Sequence, residues 1–178
     1  MNRLFCAIAV FILLTGACLA QMPAPPASAI SANDVSAMFL LPIKNGSPFE
    51  AGAGGQLSGS RFFNRHIGIE LEGDYERASF SSFQDGGVRI GPVVRLGSNT
   101  KVQPFLEGLA GFSLVKATYL SSGDSFHGSG SVMGGGGLDF HLSGPWFARG
   151  QIDIQEDWTA HTTVGRVLVG ISYRLRSR

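Results

Sequence analysis

The sequence predicts an all-β protein, an eight-stranded antiparallel up-and-down transmembrane β-barrel, and three observations carry that expectation. Apolar and polar residues alternate with a period of two along most of the chain beyond its first 33 residues. Turn residues divide this pattern into eight segments, an even number, and the connections after the second, fourth and sixth are shorter and tighter than most of the others. The chain has 25 glycines but only 15% charged residues, an unusual balance for a water-soluble enzyme.

Bulk charge narrows the function classes. With 14 Lys and Arg against 13 Asp and Glu there is no strong field to steer nucleic acid or an acidic substrate, so no nucleic-acid partner is expected. No run of about 20 apolar residues occurs after the N-terminus, so any membrane crossing falls to strands.

Residues 1–20 have the order of a secretory signal: Arg3, an apolar run from Leu4 to Leu14, then the small residues Gly16, Ala17 and Ala20. Cleavage after Ala20 removes Cys6 and Cys18, leaving a mature chain without thiols. Residues 21–33 are rich in Pro, Ala and Ser without periodicity and form a flexible periplasmic leader. The barrel is expected over residues 34–175, with a short basic tail at 176–178.

The first segment, Asp34 to Leu41, alternates weakly and ends at Pro42. The second, from about Phe49 to Ser60, sets Ala51, Ala53 and Leu57 against Glu50, Gly52, Gly54, Gln56 and Ser58, and Arg61 to Arg65 form a tight reversal. The third, His66 to Arg77, is the clearest: Ile67, Ile69, Leu71 and Tyr75 alternate with Glu70, Glu72, Asp74 and Glu76. In the fourth, Gly87 to Leu96, Val88, Ile90, Pro92 and Val94 oppose Arg89, Gly91, Val93 and Arg95.

The fifth segment, Gln103 to Ala117, sets Leu106, Ala110, Phe112 and Leu114 against Glu107, Gly111 and Ser113, although Leu109 and Val115 interrupt the pattern. A longer polar loop from Tyr119 to Gly128 precedes the sixth, Gly130 to Leu142, where Leu138, Phe140 and Leu142 oppose Asp139 and His141. Ser143, Gly144 and Pro145 turn the chain into the seventh, Trp146 to Trp158, with Ile152 and Ile154 opposite Arg149, Gln151, Asp153 and Gln155. The eighth, Thr163 to Leu175, places Val167, Val169, Ile171, Tyr173 and Leu175 on one face and Arg166, Gly170, Ser172 and Arg174 on the other. Loops near Lys44 to Ser47, Ser79 to Asp85, Tyr119 to His127 and Thr159 to Thr162 are too short to form domains.

An eight-stranded barrel has an interior just wide enough for side chains to fill. The polar face therefore predicts a lumen in which Arg89, Arg95, Arg149, Arg166 and Arg174 meet Glu50, Glu70, Glu72, Asp74, Glu107, Asp139 and Asp153. Charges confined there pair, because a lone buried charge costs several kcal/mol. A plug is expected, with a narrow ion path through a switchable pair as the functional alternative. Phe49, Tyr75, Tyr119, Trp146, Trp158 and Tyr173 stand near strand ends, where aromatic girdles meet the two membrane interfaces.

Gly170, Tyr173 and Leu175 stand at the spacing of the C-terminal assembly signal of bacterial outer-membrane barrels. Together with Pro104 to Gly111 and Gly135 to Phe140, that strand makes Asp34 to Leu175 resemble the outer-membrane protein beta-barrel domain family, the eight-stranded group that includes the transmembrane part of outer membrane protein A. The resemblance implies a monomer in the outer membrane of a Gram-negative-type bacterium. Its partners would be outer-membrane lipids and, during biogenesis, the barrel-assembly machinery and periplasmic chaperones.

No metal spacing, phosphate-cradling loop or nucleophile elbow is present, so no cofactor is expected. His127 and Ser129 are spaced like the His-x-Ser pair of outer-membrane lipid A deacylases, in which histidine activates serine and an acid orients it. Gly130 replaces the asparagine after that serine, and His141 occupies the place of the acid. The expected function is therefore a non-enzymatic barrel with a plugged lumen, serving envelope integrity or surface contact. A lipid A-modifying enzyme and a soluble periplasmic barrel of the lipocalin kind are the alternatives, the latter lining a ligand cavity with Ile67, Ile69 and Leu71.

Overall fold

The computed structural model describes residues 32–44, 52–78, 83–96, 101–119, 123–158 and 162–176. Among them eight strands occur: β1 (Ala32–Lys44), β2 (Gly52–Phe62), β3 (Ile67–Ala78), β4 (Phe83–Arg95), β5 (Val102–Tyr119), β6 (Gly123–Ser143), β7 (Trp146–Asp157) and β8 (Thr162–Arg176). Each pairs antiparallel with its chain neighbours, and β1 pairs with β8 from Ala32 opposite Arg176 to Lys44 opposite Val164. The sheet is thus a closed barrel with no free edge. The predicted signal, the leader as far as residue 31, and Phe49 and Glu50 lie outside the described residues.

Side chains alternate strictly between lumen and outer wall. Leu57, Leu71, Val88, Phe112, Ile152 and Val169 project outward and are more than half exposed, while Gln56, Glu70, Arg89, Ser113, Asp153 and Arg166 on the same strands are buried inside. Ile69 and Leu71 lie on the outer surface, so they do not line an internal cavity and the soluble lipocalin-like alternative fails. A water-soluble barrel has no reason to turn a continuous hydrocarbon belt outward.

Several boundaries differ from the sequence expectation: Ala32 and Asn33 open β1 and do not belong to the leader, and Arg176 ends β8 and does not belong to the tail. β1 does not stop at Pro42 but runs to Lys44, alternating between lumen and wall throughout. Its hydropathy alternates weakly because Met38 and Leu40, two of its inward residues, are apolar and pack with Leu168 in the lumen. Pro42 is tolerated because the register of β1 with β2 ends at Leu40 opposite Gly54, so no bond to that neighbour is lost. The expected loop from Tyr119 to Gly128 is mostly strand, since β5 and β6 pair up to Tyr119 opposite Gly123 and only residues 120–122 connect them. The loop expected to end at Asp85 is likewise shortened by β4, which begins at Phe83. At 18 and 21 residues, β5 and β6 exceed the ~9–11 that a tilted strand needs to span. At that end the chain gains height by prolonging a hairpin, rather than by lengthening loops.

The opposite end is closed by compact turns. At residues 63–66 the Asn64 side-chain oxygen accepts from the backbone N–H groups of His66 (2.8 Å) and Ile67 (2.7 Å), fixing the reversal between β2 and β3. Between β6 and β7 Gly144 takes φ 55°, in the left-handed region that glycine enters without strain. Both chain ends of the barrel, Ala32 and Arg176, lie at this end, which corresponds to the periplasmic side of such barrels.

Candidate functional site

The strand ladder stacks inward-facing polar residues into three layers. In the upper of these three, beneath the buried Glu76, Asp85 and Asp157 that stand still farther from the compact turns, Arg89 on β4 and Arg166 on β8 share two β3 carboxylates. Arg89 Nη1 donates to Glu72 (3.2 Å) and Asp74 (2.8 Å), and Arg166 reaches Glu72 at 3.2 Å and Asp74 at 2.6 Å. Ser113 and Ser131 accept the remaining Arg89 donors at 3.1 and 3.2 Å, and Gln56 and Gln155 accept from Arg166 at 3.0 and 3.3 Å. These bonds tie β2, β3, β4, β5, β6, β7 and β8 together across the lumen.

The middle layer is richer in acid. Arg149 forms a two-pronged pair with Asp139, at 2.7 and 3.0 Å, and stands 3.7 Å from Glu70. The Gln151 amide donates to Glu107 (2.7 Å) and to Asp153 (2.9 Å). Glu107 and Asp153 face one another along a row in which Gly135 stands between them, and a Cβ there would lie 1.9 Å from the Asp153 carboxylate. Neither Glu70 oxygen has a hydrogen-bond partner among the described residues, nor does Glu107 Oε2.

The third layer lies against the compact turns. Asp34 is held by Arg95 and, at 3.3 Å, by Arg174, which also donates to Gln103 at 2.8 Å. Aromatic rings floor this layer. The Arg95 guanidinium lies 3.5 Å from the Phe62 ring centroid and that of Arg174 4.3 Å from Phe147, while Arg149 of the layer above stacks at 4.4 Å on Phe105.

Glu70, Glu72, Arg89, Arg95, Glu107, Asp139, Arg149, Asp153 and Arg166 are buried in the lumen, with Asp74 and Arg174 bonded into the same layers; Glu50 lies outside the described residues. Asp34, Asp85 and Asp157 also face inward and are buried, although the sequence pattern did not single them out. The signal for Asp34 was masked by the weak hydropathy pattern of β1, and that for Asp85 by the glycines that follow it. Of the terminal signal, Gly170 faces the lumen, where a Cβ would meet the β1 backbone at Ala37 (2.2 Å), while Leu175 faces outward. Tyr173 packs edge to face on Trp146 at 4.8 Å between ring centroids, and Tyr75 and Trp158 are exposed on the wall.

Of the His127 and Ser129 pair, His127 is exposed and Ser129 is buried. Ser129 is 3% exposed inside the barrel and its hydroxyl donates to the Gly130 carbonyl at 3.1 Å. His141, twelve residues further along β6, is at the far end of the strand, roughly 40 Å of extended chain away. It bonds there to the Gly144 carbonyl at 3.0 Å and packs on Phe147. No triad assembles among these three residues. Among the described residues no group of three or more His, Cys, Asp or Glu is arranged to hold a metal ion.

No family model and no curated protein sequence matches the chain. Solved structures do. Neisserial surface protein A superposes with a TM-score of 0.64 at 12% identity over 80% of this chain and 96% of that one. The attachment invasion locus protein Ail of Yersinia pestis gives 0.59 at 19% identity over 83% and 99%. The outer membrane enzyme PagL gives 0.51 at 14% identity over 79% and 98%. Closed topology, outward hydrocarbon, polar lumen and these superpositions agree, and the chain has the fold of the eight-stranded outer-membrane β-barrels.

Proposed function

We propose that the protein is a non-enzymatic integral barrel of the Gram-negative outer membrane, exported by a cleaved signal, with a closed lumen and a role in envelope integrity or surface contact. The observation that carries this reading is the layered bonding of the lumen. Arg89 and Arg166 bridge opposite walls through Glu72 and Asp74, and at 1% or less exposure all but Asp74 are sealed from solvent. A pathway for solutes would have to break several charge-assisted bonds at once. The prolonged β5–β6 hairpin supplies the surface-contact element. Assembly through the barrel-assembly machinery and periplasmic chaperones, as a monomer among outer-membrane lipids, belongs to the same proposal.

The test combines location and conductance. The full chain, expressed in a Gram-negative host, is expected in the Sarkosyl-insoluble outer-membrane fraction with a gel mobility that changes on boiling. The purified folded protein is expected to leave a planar bilayer silent. Soluble periplasmic protein, or regular stepwise conductance from the folded form, would overturn the proposal. Acyl release from lipopolysaccharide that is lost in Ser129→Ala would replace it with the enzyme.

A further inference from the structure

The outer wall carries a feature that the lumen does not explain. Across four strands one row of outward residues reads Val35, Gly59, Leu71 and Ile90, each opposite the next. Val35, Leu71 and Ile90 project at 51%, 53% and 51% exposure. Gly59 between them has no side chain, and a Cβ placed there would meet nothing within 4 Å. The result is an apolar groove of about 250 Å³ in the face of the barrel.

One end of the groove is polar. In the next row toward the compact turns, Asn33 stands opposite Arg61. Arg61 is exposed and its guanidinium makes no bond or ion pair with any described residue. The carboxylates behind this wall, Asp34 and Glu70, point into the lumen at 2% and 0% exposure, so among the described residues no acidic side chain competes for Arg61 from the same face.

Depth is set by the girdle. Val35 pairs with Tyr173, and Tyr173 pairs with Trp146. Paired aromatic rings of this kind mark the level of lipid headgroups. Rows climb away from the compact turns as they circle the barrel, the row of Trp146 and Tyr173 returning to β7 at Glu156, so Val35 and Gly59 lie deeper than the girdle, at the acyl level, and Arg61, two residues nearer the turn on β2, lies at the headgroup level.

We propose that this groove is a binding site for one glycerophospholipid of the periplasmic leaflet. An acyl chain lies over Gly59 between Val35 and Leu71, and the phosphodiester is held by the Arg61 guanidinium with the Asn33 amide as a further donor. Guanidinium suits this task because its parallel N–H groups match phosphate oxygens in pairs, and it loses less hydration than an ammonium would. The glycine matters as much as the charge, because any larger residue would fill the floor on which the chain rests.

The experiment uses the full mature chain refolded into vesicles of phosphatidylethanolamine and phosphatidylglycerol, extracted in mild detergent and weighed by native mass spectrometry. Wild type is expected to retain one phospholipid. Gly59→Leu is expected to lose it, and Arg61→Gln to retain it in a severalfold smaller fraction. Gly134→Leu, a wall position with open space outside the groove, is expected to match wild type. Heat-modifiable mobility confirms that every variant is folded. Equal retention by all four proteins, or a folded wild type free of lipid, would overturn the proposal. So would a two-chain mass that Gly59→Leu reduces to one, since the groove would then be an interface between copies.

Discussion

Two adjacent layers of one lumen handle charge in opposite ways. Around Glu72 and Asp74, two guanidiniums meet two carboxylates, and serine and glutamine side chains take up further donors. One step toward the compact turns, Arg149 grips Asp139 on two prongs and stands 3.7 Å from Glu70, while Glu107 and Asp153, the latter opposite Arg166 on β8, are joined by the Gln151 amide. The first layer is a lock between walls. The second carries more negative charge than its pairing can answer, and it holds Glu107 and Asp153 together only through the Gln151 amide. The layers thus differ in how many guanidiniums answer their carboxylates, although Glu72 Oε2 and Arg166 Nε in the first layer also lack hydrogen-bond partners among the described residues.

The comparison can be broken most severely at Arg166. Arg166→Met leaves Glu72 and Asp74 with one guanidinium between them and is expected to cost about 3–5 kcal/mol, the usual effect of removing one partner of a buried pair. The urea midpoint for loss of heat-modifiable mobility in phospholipid vesicles measures it, and an unchanged midpoint would show that the lock contributes nothing.

A smaller effect is expected from Gly135→Ala. Its Cβ would enter the space held by the Asp153 carboxylate and the Ile152 carbonyl, at 1.9 and 2.6 Å, costing about 1–3 kcal/mol by overpacking. Gly134→Ala, one residue away on the outer wall with nothing within 4 Å, should stay within about 0.5 kcal/mol of wild type. The two neighbours tested side by side separate lumen from wall.

The smallest change, and the one of opposite sign, belongs to Glu107. Glu107→Gln removes one charge from the acid-rich layer while keeping an oxygen for the Gln151 amide, so stability should hold or rise by about 1 kcal/mol. A loss as large as that of Arg166→Met would mean that both layers are balanced, and the contrast between them would disappear.

Much of the fold was legible from residue types alone, and the reason is the strict period of the strand. On β3 the alternation of Ile69 and Leu71 with Glu70 and Glu72 declares both faces before any partner is known. On β1 the same rule failed, because Met38 and Leu40 occupy the lumen beside Leu168, and an apolar residue facing inward erases the contrast on which the pattern depends. The tip of the β5–β6 hairpin has the composition of a loop for a related reason: Ser125, Gly128 and Ser129 carry no strand signal individually, and their ladder comes from pairing with residues on β5.

Within the lumen, composition determined that arginines and carboxylates would share one interior, since they fall on the inward parity of strands that must close. Which arginine meets which acid was decided only in three dimensions. Arg166 and Glu72 are 94 residues apart and Arg174 and Asp34 140, and such pairs are set by the registers of all intervening ladders. The inward position of Ser129 follows from barrel closure, whereas the remoteness of His141 follows from the extended β6 strand that carries both. The sequence by itself determined the strands, their faces and an interior of both charges, because those depend on a local period of two. Tertiary structure alone decided the layers, the imbalance between them and the groove at Gly59, because each is made by neighbours that only the closed sheet brings together.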